Sequence, residues 1–232
     1  MNEKKKWKIC VLAGVLAAST AIGGVAAYFT DTDTSVTTFT VGKIEIDLQE
    51  PTWEEKEDMD TNGIPDEAER MEPAQTITKD PLVENTGTND AYIFVTVETP
   101  YCNLVTVNAD GSKNQAKDVA VYSYESNTNW VLLGTAYEKD AEDNYISEKK
   151  LYAYAKEDGA CIPLKPGAST NTLFDAVTMA NVAEGQMLEN QTLEQAIVAY
   201  GIQTSNLQVE GSDAKSIWAI ISNQSEVVET YI

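Results

Sequence analysis

Residues 23–48 read GGVAAYFTDTDTSVTTFTVGKIEIDL. The passage leaves an apolar, small-residue segment, crosses Ala26-Ala27, where a signal peptidase can cut, and ends in a strand pattern. Apolar residues stand at Phe39 and Val41, then at Ile44, Ile46 and Leu48, so the alternation shifts from odd to even across Gly42-Lys43. One extra residue in a strand produces such a shift, and glycine at the step suits a β-bulge. The pattern predicts one bulged, half-buried strand.

Upstream, Lys4, Lys5, Lys6 and Lys8 form a basic start, and residues 9–27 carry no charge. This is a secretory signal layout with small residues before the cut. A retained anchor is the alternative, since about 20 apolar residues span a bilayer. The run is rich in Ala and Gly rather than Leu and Ile, which favours removal of residues 1–27 as a signal peptide. Cleavage is therefore expected between Ala27 and Tyr28, leaving residues 28–232 as one exported domain.

The precursor has 16 Lys+Arg and 37 Asp+Glu; the leader takes four Lys and one Glu, which leaves the mature chain with a net charge of −24. Such a charge favours solubility and repels nucleic acid and anionic lipid. It also attracts divalent cations. Cys10 lies in the leader, and Cys102 and Cys161 remain. They either pair in an oxidising exterior or persist as two buried thiols.

Downstream of residue 77 the chain alternates strands and turns. Asp80-Pro81 belongs to a strand end or edge, because proline cannot donate to a ladder. Residues 85–90 (NTGTND) are turn chemistry, and residues 91–97 (AYIFVTV) are apolar on both faces, as in a central strand. Together they give the strongest hairpin signal in the chain. Further strands are expected at residues 102–107, closed by the turn Asn108-Ala109-Asp110-Gly111, and at 119–124, 130–133, 145–154, 161–164 and 172–178. Residues 193–203 mix helical and alternating signals. Asp213 is placed to cap a short helix over 214–222, with Ile217, Trp218 and Ile221 facing the core. Tyr92, Phe94, Trp130, Tyr200 and Trp218 are expected core residues. Strands at this spacing indicate a sandwich or barrel.

Residues 50–72 interrupt the pattern as an acidic insertion with a single tryptophan, Trp53. Inside it, Asp58-Met59-Asp60-Thr61-Asn62-Gly63-Ile64-Pro65-Asp66-Glu67-Ala68-Glu69 satisfies the D-x-D-x-[DN]-G-x5-E calcium-loop pattern. Ca²⁺ takes six to eight oxygens, which alternate acidic side chains in a turn can supply. The expected donors are Asp58, Asp60 and Asn62 through side chains, Ile64 through its carbonyl, Asp66 directly or through water, and Glu69 through both oxygens. Gly63 permits the sharp turn. Pro65 occupies the position of the usual short β contact, and no amphipathic helices flank the loop, so a solitary bacterial calcium loop is the better comparison. A solvated acidic turn without metal is the other reading.

Three stretches resemble the TasA/camelysin family of Gram-positive biofilm-matrix proteins. They are residues 26–48 (AAYFTDTDTSVTTFTVGKIEIDL), residues 77–95 around Lys79-Asp80-Pro81 and Asn85-Thr86-Gly87, and residues 173–186 (LFDAVTMANVAEGQ) with 199–204 (AYGIQT). The resemblance implies processing by a specialised signal peptidase before the Phe29-Thr30-Asp31 element. It favours a strand over residues 193–203. It also implies fibre formation in which a freed N-terminal segment, residues 28–41, adds a strand to the next subunit, with Phe29, Phe39 and Val41 as anchors. The fold expected is all-β, a jelly-roll-like antiparallel β-sandwich with short helices and an acidic loop insertion.

The chain contains no histidine. HExxH zinc sites, Ser-His-Asp triads and Cys-His dyads are thereby excluded. Phosphate-binding glycine loops and basic aromatic patches are missing too. The expected function is that of a secreted, non-enzymatic structural protein of the cell surface or biofilm matrix, self-assembling and contacting other matrix components. Two alternatives stand beside it: a secreted peptidase, as the camelysin name suggests, and a monomeric adhesin stiffened by calcium.

Overall fold

The computed structural model describes residues 42–224 apart from 60, 63, 187, 189–191, 208 and 210. All of them fall in one compact unit, Val41–Ile232; the other unit, Met1–Thr40, lies outside the described residues.

The longest strand, β4 (Ala91–Leu104), is central because its apolar residues leave neither face to solvent. Ala91, Ile93, Val95 and Val97 enter one core cluster, while Tyr92 and Phe94 enter another on the opposite face. Consecutive side chains of a strand point to opposite faces, so such a run is stable only when covered twice. Among the described residues nine further strands and two short helices surround it. Around β4 lie β8 (Tyr145–Tyr154) and β10 (Ala196–Gln203), with β7 (Trp130–Lys139) outside β8 and β5 (Lys117–Ala120) pairing the far end of β4. A second sheet joins β2 (Thr76–Thr78), β9 (Ala176–Met179) and β6 (Tyr122–Ser123), and a third pairs β1 (Ile46–Gln49) with β3 (Leu82–Asn85). Every pairing is antiparallel. Ile77, Val83 and Val177 from the smaller sheets close over the odd-numbered face of β4. The result is an all-β sandwich.

The other face of β4 is covered by the helix Ala214–Gln224, whose Ile217 and Trp218 are buried. The Trp218 ring lies 5.5 Å from Phe94 and 5.2 Å, edge-on, from Tyr200. As expected, Asp213 caps the helix: its carboxylate accepts the Ser216 N–H at 2.8 Å and the Ser216 hydroxyl at 2.7 Å. These bonds hold the Asp213 carboxyl below the usual carboxylate range. The other helix is the single turn Pro51–Glu54, opened by a proline that has no N–H to leave unsatisfied.

Several expectations need correction. Residues 85–90 do not close a hairpin. β3 pairs β1, and its other edge is occupied by the 168–170 segment, with Asn85 N–H on Ala168 O and Thr170 N–H on Val83 O. The turn therefore carries the chain between sheets. Residues 91–97 and 102–107 are not two strands, because β4 runs through Pro100 to Leu104. Pro100 is tolerated where β4 exchanges partners, pairing Ser147 on one side just as Tyr101 begins to pair β5. Residues 161–164 form isolated bridges rather than a strand. Their N–H groups go to three places, Ser212, Tyr154 and Ala91, and Pro163 between them has none. The 119–124 strand is split into β5 and β6 at the fully buried Val121. Residues 42–45 are not in a strand, although Lys43 O and Glu45 O accept the N–H groups of Thr88 and Gly87. Residues 196–203 form β10, the strand reading of the ambiguous stretch.

Candidate functional site

The described parts of the three stretches that resemble the family, from residue 42 onward, build scaffold. Lys79 is buried, with its ammonium 2.8 Å from the Glu50 carboxylate and 4.3 Å from the centre of the Trp53 ring. Asp80 accepts the Thr52 N–H at 3.0 Å and its hydroxyl at 2.6 Å. Asn85 is fully buried; its amide donates to the carbonyls of Asn89 and Leu164, and its oxygen accepts the Gly87 N–H. At Gly87 a Cβ would stand 2.5 Å from Lys43 O, so only glycine lets the two backbones meet. Farther on, Asn181 exchanges bonds with the Val107 backbone, and Gln186 accepts the Val105 N–H.

Lys79 and Asp80 also anchor the acidic insertion at its entrance. Beyond that seam the insertion is closed by its own polar groups. Asp66 N–H donates to Glu57 O, the Asp66 carboxylate accepts the Met59 N–H at 3.0 Å, and Lys56 pairs with Glu67. Asp58 accepts the Asn62 N–H at 3.2 Å, and the Asn62 side chain accepts the Ile64 N–H at 2.8 Å and donates to Glu69 at 2.6 Å. Asp58, Asn62, Ile64 and Glu69 thus form one connected turn, with Asp66 bonded to its start. Asp60 and Gly63 lie outside the described residues. No three Asp, Glu, Cys or His side chains among the described residues are gathered as a metal set. The donor chemistry suits Ca²⁺, an oxygen-seeking cation, but one oxygen each of Asp58, Asn62, Asp66 and Glu69 accepts an N–H of the loop itself. Cleavage residues Ala27 and Tyr28 and assembly residues Phe29, Phe39 and Val41 lie outside the described residues.

The insertion also forms one wall of a cavity of about 750 Å³, which sequence reasoning missed. Ile64, Ala68 and Met71 line it together with Ile77, Tyr122 and Met179 of the β2–β9–β6 sheet. These residues come from segments far apart in sequence, so no local pattern could announce the space. Cys102 and Cys161 are free thiols, each packed in a different cluster. Burial raises both, Cys161 to about 12, so neither is a ready nucleophile.

Among the described residues no helix is long and apolar enough to cross a membrane. No curated protein and no solved structure matches the chain. A family model described as camelysin metallo-endopeptidase matches residues 2–165, more than half of the sequence. The chain belongs to the TasA/camelysin family.

Proposed function

We propose that this chain is exported, freed of residues 1–27, and serves outside the cell as a structural subunit of the surface or matrix, without enzymatic activity. The observation that carries the reading is an open edge: among the described residues β7 pairs only β8, leaving its other side without a ladder partner. An extended segment from a second copy can add there by main-chain hydrogen bonds, with side chains seated for specificity. Residues 28–41 are the donor, and Phe29, Phe39 and Val41 each contribute ~1.5–3 kcal/mol on full burial. Electron microscopy and light scattering of the mature chain, with and without residues 28–36, test this. Fibres should form only from the longer chain, and Phe29→Asp should weaken growth without unfolding the domain. A mature chain that stays monomeric across salt, calcium and pH removes the fibre reading and leaves the adhesin. N-terminal sequencing of exported material should begin at Tyr28, whereas Met1 or Asn2 would overturn the free donor segment.

Calcium belongs to the same proposal, with Asp58, Asp60, Asn62, Ile64, Asp66 and Glu69 as its ligands and stiffening of the insertion as its effect. Calorimetry should detect one site, lost in Asp58→Ala and Glu69→Gln.

The family's description favours a second reading, a secreted metallopeptidase. Without histidine any catalytic metal would rest on carboxylates or thiols alone. Casein digestion by the purified chain, abolished by a chelator, would establish it.

A further inference from the structure

Three tyrosines from three strands meet at one end of the large sheet. Tyr101 of β4, Tyr137 of β7 and Tyr145 of β8 have ring centres 5.0, 5.5 and 5.7 Å apart in their three pairings, tilted or edge-on to one another. Tyr137 is 44% exposed, and Tyr101 and Tyr145 are partly so. The Tyr137 hydroxyl donates to Glu148 Oε1 at 3.2 Å. Glu148 is buried and is held on its other oxygen by the Lys150 ammonium at 2.8 Å. Cross-strand packing alone explains the ring contacts. Tyr137 and Glu148 also stand directly opposite each other in the β7–β8 register, so the sheet itself holds a buried, fixed carboxylate against the most exposed phenol of the group.

We propose that this triad is an oxidative coupling site, at which a haem peroxidase using hydrogen peroxide joins Tyr137 to Tyr101 or Tyr145 as dityrosine. Each of two phenols loses one electron and one proton, and the Tyr137 proton passes along its hydrogen bond to Glu148. The two phenoxyl radicals form a carbon–carbon bond between ring positions next to the oxygens. The hydrogens on those carbons then move to the oxygens, restoring both rings. Overall two protons and two electrons leave the protein and reduce one peroxide to two waters. Oxidising a phenol while its proton stays in place is costly, so an acceptor already within hydrogen-bond reach favours this phenol over others. Burial first and the Glu148 charge second push Tyr137 up to about 12, so it meets the oxidant as the neutral phenol that has a proton to give. Tyr124 and Tyr152 provide an internal contrast. Their rings are also neighbours, at 6.3 Å, but Tyr152 is buried and Tyr124 is largely desolvated. The link would tie the outer strand β7 to β4 or β8, and closing a loop in the unfolded chain stabilises the fold as a disulfide does.

The test treats the mature chain with a haem peroxidase and limiting hydrogen peroxide, then maps linked peptides by mass spectrometry. The expected product joins the Tyr137 peptide to that of Tyr101 or Tyr145, lighter by two hydrogens than their sum, with dityrosine fluorescence and a raised melting temperature. Tyr137→Phe, a change at a partly exposed ring, should remove the product while the protein stays folded. Glu148→Gln, if folded by circular dichroism, should slow its formation at the same oxidant dose. The proposal is overturned if Tyr137→Phe leaves the yield unchanged, or if linkage is as frequent at Tyr122, Tyr154 or Tyr200. It is equally overturned if the only products are links between chains.

Discussion

Strand β4 and the acidic insertion, residues 50–72, are secured by opposite means. Ile93 and Phe94 of β4 are wholly buried, one on each face, and their hold is apolar contact on all sides. The insertion is largely exposed: Trp53, Ala68 and Met71 rest partly buried against the core, and its polar hold on the body is a seam where Glu50 pairs with Lys79, Trp53 lies under the Lys79 ammonium, and Thr52 is fixed by Asp80. Apolar burial is non-directional and is not screened by salt as charge pairs are. A few charge-assisted contacts at a seam are directional and fail together. The body should therefore open only by global unfolding, and the insertion at far lower free energy.

The largest effect should come from the body. Phe94→Ala removes a fully buried ring that Trp218 packs against at 5.5 Å. Loss of about 3–5 kcal/mol is expected, from transfer and cavity together, read as a lower urea midpoint at unchanged slope. A loss under about 1 kcal/mol would mean that β4 is not the keystone of the fold. Next is the seam. Lys79→Met keeps an apolar stem but leaves Glu50, whose side chain is 19% exposed, without its cation. Stranding a buried partner costs about 3 kcal/mol or somewhat more. Hydrogen exchange should locate that loss in residues 50–72, with β4 amides slowed as before. Equal acceleration in both regions would erase the distinction between them.

Asp213 offers a smaller test, at the cap of the helix that covers β4. Asp213→Ala should cost about 1 kcal/mol, as loss of an N-cap does. The sign with pH follows from its lowered folded-state value, set by the bonds to Ser216. A depressed carboxyl contributes stability that is fully present above its unfolded value and is lost as pH falls through the folded one. The wild type and the variant should therefore differ at neutral pH and converge below the folded value. A gap that persisted in strong acid would show that the cap acts through something other than the charged carboxylate.

How much of this was legible in the sequence depended on whether the signal was local. The double-sided apolar run of residues 91–97 announced a central strand, and Asp213 just ahead of the helical stretch 214–222 announced a cap, because each needs only its neighbours. The hairpin at 85–90 misled for the same reason. Its turn residues are real, yet Asn85 spends its amide on Leu164, 79 positions away, and β3 is claimed by β1. The calcium pattern named the residues that share one turn, Asp58, Asn62 and Glu69, but not that their oxygens accept the loop's own donors. The cavity and the tyrosine triad draw on residues from separate strands, and no window of sequence contains either.

The smallest effect should lie inside the insertion. Lys56 pairs with Glu67, and its ammonium stands 6.0 Å from the Trp53 ring. The two partners differ: the Lys56 side chain is 13% exposed, that of Glu67 45%. A pair with one partner this open to water contributes no more than about 1 kcal/mol and is weakened by salt. Most of what Lys56 provides is then the packing of its stem, as long charged side chains commonly do. Lys56→Met retains the stem and should change the global midpoint by less than about 0.5 kcal/mol, while reducing the salt dependence of the insertion's exchange rates, the Glu50–Lys79 pair remaining. Lys56→Ala removes the stem as well, and should speed exchange in residues 50–72 further than Lys56→Met does. If either variant instead lowered the stability of β4 by about 2 kcal/mol or more, well above what a surface change costs, the insertion would be part of the core, and the contrast between the two regions would fail at its weakest joint.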